Sequence, residues 1–283
     1  MSTTTDQMKF LSLDELEITL ANARSKNQAI GFVPTMGALH NGHLSIIERA
    51  SKENDVTVVS IFVNPTQFNN AEDLANYPRN LQKDLSLLNH IKNIFVFQPR
   101  VDEVYSPRIP FIPMNLGQLA MLMEGKFRPG HFDGVVHVVH NMFRLIRPTK
   151  AYFGMKDFQQ LTIIRAMVKH YQFPIEIIAC ETTRNSMGLA LSSRNKRLSE
   201  KGLKEALIIY ETLEFIREKK LFFSIQEIEK QARVFFAKGN LELEYLEIMN
   251  ESSLLPASSW DEPLVCFIAA YCEGVRLIDN SLV

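Results

Sequence analysis

The segment Val56–Val63, VTVVSIFV, is apolar at odd and even positions alike and is broken only by Thr57 and Ser60. A strand with one wet face alternates apolar and polar side chains, so a strand apolar on both parities must be covered on both faces. That demands a sheet with helices above and below it. The surrounding sequence supplies such layers. Short apolar runs at Ala29–Val33, Ile94–Phe97, Ala151–Phe153 and Pro174–Ala179 alternate with segments of helical spacing, such as Leu44, Ile47 and Ala50, or Leu81, Leu85 and Leu88. Pro78 suits the first turn of the latter helix. Further helices are expected over 134–147 and 161–171. Ser12-Leu-Asp-Glu15 has capping-box spacing ahead of Leu16, Leu20 and Ala23. The segment from about 30 to 180 therefore reads as α/β with a mainly parallel, doubly wound sheet.

After that the rhythm changes. Leu203, Ala206, Leu207, Tyr210, Leu213 and Ile216 share one helix face, and Ser224-Ile-Gln-Glu227 caps a second helix expected to end at Gly239. Leu243–Met249, Leu264–Tyr271 and Val275–Ile278 read as strands. The expected division is 1–182 and 183–283, the second region smaller and α+β, which suits 283 residues at about two domains. Lys+Arg 31 against Asp+Glu 32 gives a net charge of −1, so no global positive field exists to hold nucleic acid. The longest apolar runs fall far short of the ~20 residues of a membrane helix. The N-terminus is polar, without the basic-plus-apolar pattern of a signal segment, and Cys180, Cys266 and Cys272 form no CxxC. A cytoplasmic protein with no membrane or nucleic-acid partner is expected.

A parallel sheet binds ligands beyond the carboxyl ends of its strands. Past the first run comes Pro34-Thr-Met-Gly-Ala-Leu-His40-Asn-Gly-His43, and past the second Asn64-Pro-Thr-Gln67. The 151–153 run leads to Gly154-Met-Lys156-Asp157, and the 174–179 run to Thr182-Thr183-Arg184 and then Leu191-Ser192-Ser193-Arg194. Four of five strands thus deliver polar or glycine-rich segments to one edge, which marks it as the site. Thr35, Gly37 and Gly42 allow a tight turn into a helix whose N-terminal N–H groups favour phosphate. His40 and His43, three apart, project the same way and can donate to a phosphate gaining charge. A zinc site would need a third ligand, and no HExxH or cysteine pair supplies one. Lys156, Ser192, Ser193 and Arg194 have the chemistry to clamp a triphosphate. Gln67 and Gln160, with donor and acceptor on each amide, suit a hydroxylated substrate. His137 and His140 also make HxxH, but with Asn141 and Arg144 they are expected on the solvated face of their helix. His90 and His170 fall at helix ends.

With these residues in place, the chain resembles the pantothenate synthetase (pantoate–β-alanine ligase) family, of the HxGH nucleotidyltransferase superfamily. The matching stretches are VPTMGALHNGH (33–43), VSIFVNPTQF (59–68), NYPRNLQKD (76–84), EGKFRPGHFDGV (124–135), YFGMKDFQQL (152–161), GLALSSRN (188–195) and LIDN (277–280). The resemblance implies a Rossmann-like domain followed by a smaller lid domain, and a homodimer. It implies a two-step reaction in which ATP and pantoate give pantoyl adenylate and pyrophosphate, and β-alanine then gives pantothenate and AMP. Carried over residue by residue, Met36, Gly37, Ala38, Leu39, His40, Asn41, Gly42 and His43 cover ATP, with His43 as the family's general acid. Gly154, Met155, Lys156, Asp157 and Thr183 line the adenosine and phosphate side, Leu191 to Arg194 forms the counterpart of the synthetase KMSKS loop, and Gln67 and Gln160 hold pantoate. His40, His43, Lys156 and Arg194 form the expected catalytic set.

Adenylation by an already ionised carboxylate needs alignment and charge stabilisation instead of a base, and a proton-donor role for His43 presumes a protonated ring. Mg²⁺ is expected on the ATP phosphates, with few protein ligands. Arg128 and His131 are candidates for contacting a carboxylate, and Asp55–Phe62 for lying near a dimer edge. A nucleotidylyltransferase, a tRNA-charging enzyme and a catalytically silent nucleotide-binding protein are the competing readings; the two glutamines, the lack of basic excess and the intact motifs speak against them in turn. The family pattern usually has an acid or Gln at 155, Asp at 187 and an acid at 83, where this chain has Met155, Met187 and Lys83. It also commonly has K-L-F-N where Asn141-Met-Phe-Arg144 stands, and Tyr at Arg197. The first three changes make the ATP side less acidic. Restoring an acid with Lys83→Glu should shift the Mg²⁺ dependence of the first half-reaction, followed as pyrophosphate–ATP exchange; an unchanged dependence would remove that interpretation.

Overall fold

A computed structural model describes residues 9–68 and 74–283. The polar residues 1–8, on which the reading of the N-terminus rests, lie outside the described residues. The chain divides into two compact units, Met1–Gly154 with Gln160–Cys180, and Met155–Gln159 with Glu181–Val283.

In the first unit, β1 (Lys9–Leu11), β2 (Ile30–Thr35), β3 (Val56–Ile61), β4 (Ile94–Phe97), β5 (Lys150–Gly154) and β6 (Glu176–Cys180) form one sheet in the order β1-β4-β3-β2-β5-β6. Every neighbouring pair is parallel. The chain winds outward from β2 through β3 to β4, then returns to add β5 on the other side of β2. The β2–β5 boundary is therefore the topological switch point, where the crevice of a doubly wound sheet opens. Successive residues of β2 show how both faces are covered. Val33 packs in a cluster with Ile47 and Ala50 of the helix Asn41–Glu53, while the Phe32 ring meets Phe143 of the helix His131–Ile146 edge-on, centroids 6.2 Å apart. All six residues of β3 are buried. The helix Leu13–Ser25 starts at the expected box, Ser12 N donating to Glu15 at 2.9 Å and Glu15 N to Ser12 Oγ at 3.4 Å.

The structure corrects several expectations. β3 has β2 and β4 on its two edges and is an inner strand of the sheet. Pro78 precedes its helix, which runs Leu81–Leu88 and is capped by Asn80, whose side chain accepts from Lys83 N at 3.0 Å. Gly42 is already helical, so the turn is made by Gly37 and Ala38, both at positive φ. His140 and Asn141 are not solvated but buried. A second layer covers that side of their helix. His140 is surrounded by Phe111, Tyr171 and Phe173, and Asn141 donates to the Val104 carbonyl at 2.9 Å. His137 stacks on Phe111, centroids 3.9 Å apart and rings 7° from parallel.

In the second unit, β7 (Glu242–Asn250), β8 (Leu264–Cys272) and β9 (Val275–Leu282) make an antiparallel sheet with β8 in the middle. Ile268 and Ala270 on one face of β8 join a core with Leu213 and Ile216 of the helix Leu207–Lys219 and Ile228 and Ala232 of the helix Ile225–Phe236. The helix expected from Leu203 onward is interrupted, with Glu200–Glu205 forming a separate short helix. Met155–Gln159 belongs to this unit and not, as the 182/183 division has it, to the first. Phe158 packs edge-on against Phe267 of β8 at 5.9 Å, and Asn280 of β9 holds the main chain at 155 and 156. The second unit is α+β and the first is doubly wound α/β, as the sequence implies.

Burial lowers the pKa of His137, assisted by nearby His140. It lowers that of His140 too, opposed by the Asn141 hydrogen bond and assisted by Arg144. Both folded values lie below the ordinary 6.5, so the unfolded chain binds more protons as pH falls through that value. Their contribution to stability is complete above about pH 6.5 and is lost as pH falls toward the folded-state values. Thermal unfolding between pH 7.5 and 5 should show this fall, and His137→Phe, which keeps a ring on Phe111 without a titrating group, should reduce it. Equal pH dependence in the variant would refute the assignment to these rings.

Candidate active site

In the first unit the site begins where β2 ends. Thr35 Oγ1 donates to Ser60 O at 2.7 Å and accepts from Gly37 N at 3.2 Å. Gly37 (φ 78°) and Ala38 (φ 52°) then turn the chain through the left-handed region, which costs a residue with a Cβ. Asp84 supports that turn. Its carboxylate, 3% exposed, accepts from Ala38 N at 2.9 Å and Leu39 N at 2.8 Å. His40 follows as N-cap of the helix Asn41–Glu53, its Nδ1 accepting from Gly42 N at 3.2 Å. A ring nitrogen that accepts carries no proton, so His40 holds its proton on Nε2 and presents that atom as a donor. His43, on the first helical turn, has its ring centroid 4.1 Å from that of His40. The two imidazoles expected to converge do so, at a helix N-terminus beside the switch point of the sheet. Asn41 is exposed.

The segment after β3 orients Gln67. Asn64 Oδ1 accepts from Thr66 N at 3.2 Å and from Tyr105 OH at 2.6 Å, while its Nδ2 donates to Gly134 O at 3.1 Å. A backbone N–H only donates and a carbonyl only accepts, so the Asn64 amide has one permitted orientation. Its nitrogen therefore meets Gln67 Oε1, at 3.2 Å, and Gln67 Nε2 lies 2.9 Å from Met36 Sδ. The helix His131–Ile146 reaches this turn through Gly134, where a Cβ would lie 2.5 Å from Thr66 O. His131 is buried beneath this turn. Its Nδ1 donates to Gln67 O at 2.8 Å and its Nε2 accepts from Arg128 at 3.1 Å, so both nitrogens support the turn that carries Gln67. Gln160 is half-buried on the first turn of the helix Phe158–His170.

In the second unit, Thr183 and Leu191 are joined by Leu191 N donating to Thr183 O at 2.9 Å, with Arg184 and Ala190 bridged next to them. Gly188 closes this hairpin at φ 99° against the Tyr210 ring. Ser192 caps the turn Ser193–Arg197, accepting from Arg194 N at 3.2 Å. Lys156, Ser192 and Arg194 line one cavity together with Arg276 and Asp279. Lys156 Nζ lies 3.6 Å from Asp157. Gly154, the last residue of β5, and Met155 lead into the turn that carries Lys156. Among the described residues no three His, Cys, Asp or Glu side chains converge where they could hold a metal ion.

The family model described as pantoate-beta-alanine ligase matches residues 9–282. The chain belongs to the pantoate–β-alanine ligase family. It is 45% identical over 272 residues to a pantothenate synthetase of Bacteroides thetaiotaomicron, covering 95% of this chain and 96% of the relative. It is 44% identical over 278 residues to one of Cytophaga hutchinsonii, covering 96% and 98%. The crystal structure of the Thermus thermophilus pantothenate synthetase superposes with a TM-score of 0.89 at 40% identity, covering 97% of this chain and 99% of that one. The Francisella tularensis pantoate–β-alanine ligase, solved with βγ ATP and β-alanine, gives 0.78 at 37% identity, with 97% of each chain covered. The chain is accordingly a ligase that forms pantothenate from pantoate and β-alanine.

Reasoning from sequence missed the parts played by Asp84 beneath the turn and by Asn64 and Tyr105 behind Gln67, and it offered His131 for a carboxylate where the structure places the ring under Gln67. Asp84 and Asn64 stand inside the shared motifs, which is the signal that could have found them. Asp84→Ala would leave two buried N–H groups without their acceptor, at about 1–3 kcal/mol each. It should lower the urea midpoint and slow adenylation together; an unaltered midpoint would show that the turn does not depend on this carboxylate.

Proposed function

We propose that the ligase works in two chemical steps. The carboxylate of (R)-pantoate attacks the α-phosphorus of ATP, forming pantoyl adenylate and expelling pyrophosphate. The amine of β-alanine then attacks the acyl carbon, AMP leaves with the bonding pair, and the amine nitrogen gives up a proton. The observation that carries this reading is the His40–His43 pair at a helix N-terminus on the switch point of the sheet. Donors fixed before reaction stabilise charge that develops on phosphate oxygens without reorganising, which is how a weak nucleophile is best served. His40 offers Nε2–H and His43 the adjacent ring. Met36, Gly37, Ala38, Leu39 and Gly42 supply the backbone of the ATP-binding turn.

Gln67 and Gln160 take pantoate in this reading. The fixed polarity of Asn64 supports it, because Gln67 then presents its amide N–H₂ group, a donor suited to a carboxylate or hydroxyl oxygen. Lys156, Ser192, Ser193 and Arg194 take the phosphates, with Gly154, Met155, Asp157, Thr183 and Leu191 along the nucleotide. That Lys156, Ser192 and Arg194 share a cavity favours the assignment. Phosphate charge would be neutralised by Mg²⁺ carried on ATP's own oxygens; both Asp84 oxygens already accept backbone N–H groups. Movement of the second unit as a lid, to shield the acyl adenylate from water, belongs to the same proposal. So do a homodimer and a cytoplasmic location. No helix among the described residues is long and apolar enough to cross a membrane.

The test separates the half-reactions. Pyrophosphate–ATP exchange should require pantoate but not β-alanine, and adding β-alanine should release AMP and pantothenate. His43→Ala should fold normally and lower exchange by several orders of magnitude; exchange at the wild-type rate would overturn the role given to His43.

A further inference from the structure

LIDN at 277–280 is the shared stretch that the mechanism above leaves without a task. Within the second unit, Asp279 and Asn280 lie near the end of β9 and are both buried. Asn280 Nδ2 donates to two main-chain carbonyls at once, Met155 O at 2.9 Å and Lys156 O at 2.7 Å. Carbonyls only accept, so the amide has one permitted orientation and both bonds are lost if its nitrogen is lost. Asn280 is itself held. Its N–H donates to Asp279 Oδ1 at 2.8 Å, and its carbonyl accepts from Arg184 Nη2 at 3.3 Å. The Asp279 carboxylate receives both terminal nitrogens of Arg184, Nη2 to Oδ1 at 2.9 Å and Nη1 to Oδ2. Arg184 Nη1 also donates to Gly188 O at 3.0 Å, at the start of the strand-like segment that leads to Ser192 and Arg194.

We propose that Asn280, fixed by the Arg184–Asp279 pair, is a positioning residue for Lys156. The lysine ammonium sits on a flexible four-carbon stem, so its reach is defined only if the root of the side chain is fixed. Asn280 fixes that root from both sides, at the carbonyl of residue 155 and the carbonyl of residue 156. The same Arg184 that holds Asn280 also holds the hairpin leading to Ser192 and Arg194, so the phosphate-binding groups on both segments are set from one point on β9. The proposal rests on the reading that Lys156 contacts the ATP phosphates.

The experiment is a double-mutant cycle on the full chain, with steady-state pyrophosphate–ATP exchange as the readout and the melting temperature measured in parallel. Asn280→Ala should reduce exchange at limiting ATP about 10- to 100-fold and raise the KM for ATP, with the KM for pantoate unchanged. In a Lys156→Ala background the same substitution should add nothing, because the group it positions is gone. A merely structural Asn280 predicts the opposite: an additive loss in the double variant and a parallel change in both KM values, and that result overturns the proposal while leaving the reading of Lys156 intact. If Lys156→Ala alone exchanges at the wild-type rate, it is that reading which falls, and the proposal with it. Asn280→Asp has the same volume but cannot donate to the two carbonyls, and it decides the matter if Asn280→Ala does not fold.

Discussion

The contact on which the first unit's chemistry depends is the Asp84 carboxylate beneath the turn at Gly37–Leu39. An alanine at positive φ is strained and persists only where the surroundings over-determine it. Asp84 does so with two charge-assisted hydrogen bonds to adjacent backbone N–H groups. The carboxylate is on the first turn of the helix Leu81–Leu88, where the helix dipole favours a negative charge. The position of that helix against the sheet thereby fixes the exit direction of β2, the start of the helix Asn41–Glu53, and the separation of the His40 and His43 rings.

The polar groups around Gln67 are set by a second constraint, the one-way character of backbone hydrogen bonding. Asn64 stands between an obligate donor and an obligate acceptor, and its orientation passes on to Gln67. His131 is fixed in the same manner, because only its Nδ1–H form satisfies the Gln67 carbonyl while leaving Nε2 to accept from Arg128. The Asn64 arrangement involves no group that titrates near neutral pH, so the amide of Gln67 is presented with one polarity.

The layered α/β character was legible because it is written in local pattern. A strand such as β3, β-branched and apolar on both parities, admits little else, and the helices beside it carry their own periodicity. Lys9–Leu11 was not legible, since three residues hold no period. Nor was the burial of His140 and Asn141. One face of their helix reads as apolar, but the cover on the other side comes from Val104 and Phe111 in sequence before it and from Tyr171 and Phe173 after it, and no local window contains them. The motif residues themselves stood out because strand ends collect glycine and polar groups. What the sequence hid were partners that act through the main chain. Asp84 bonds to N–H groups 45 and 46 residues away, and a backbone donor leaves no trace in residue identity. The place of 155–159 with the second unit was hidden for the same reason.

The bonds from Asn280 to the turn at Met155 and Lys156 span 125 and 124 residues, and the Arg184–Asp279 pair spans 95. Closing loops of that length costs chain entropy before any contact rewards it. Both carbonyls of the lysine-bearing turn, at 155 and 156, are held by a residue of β9. The last strand of the chain thus holds the main chain at the root of a lysine 124 residues before it.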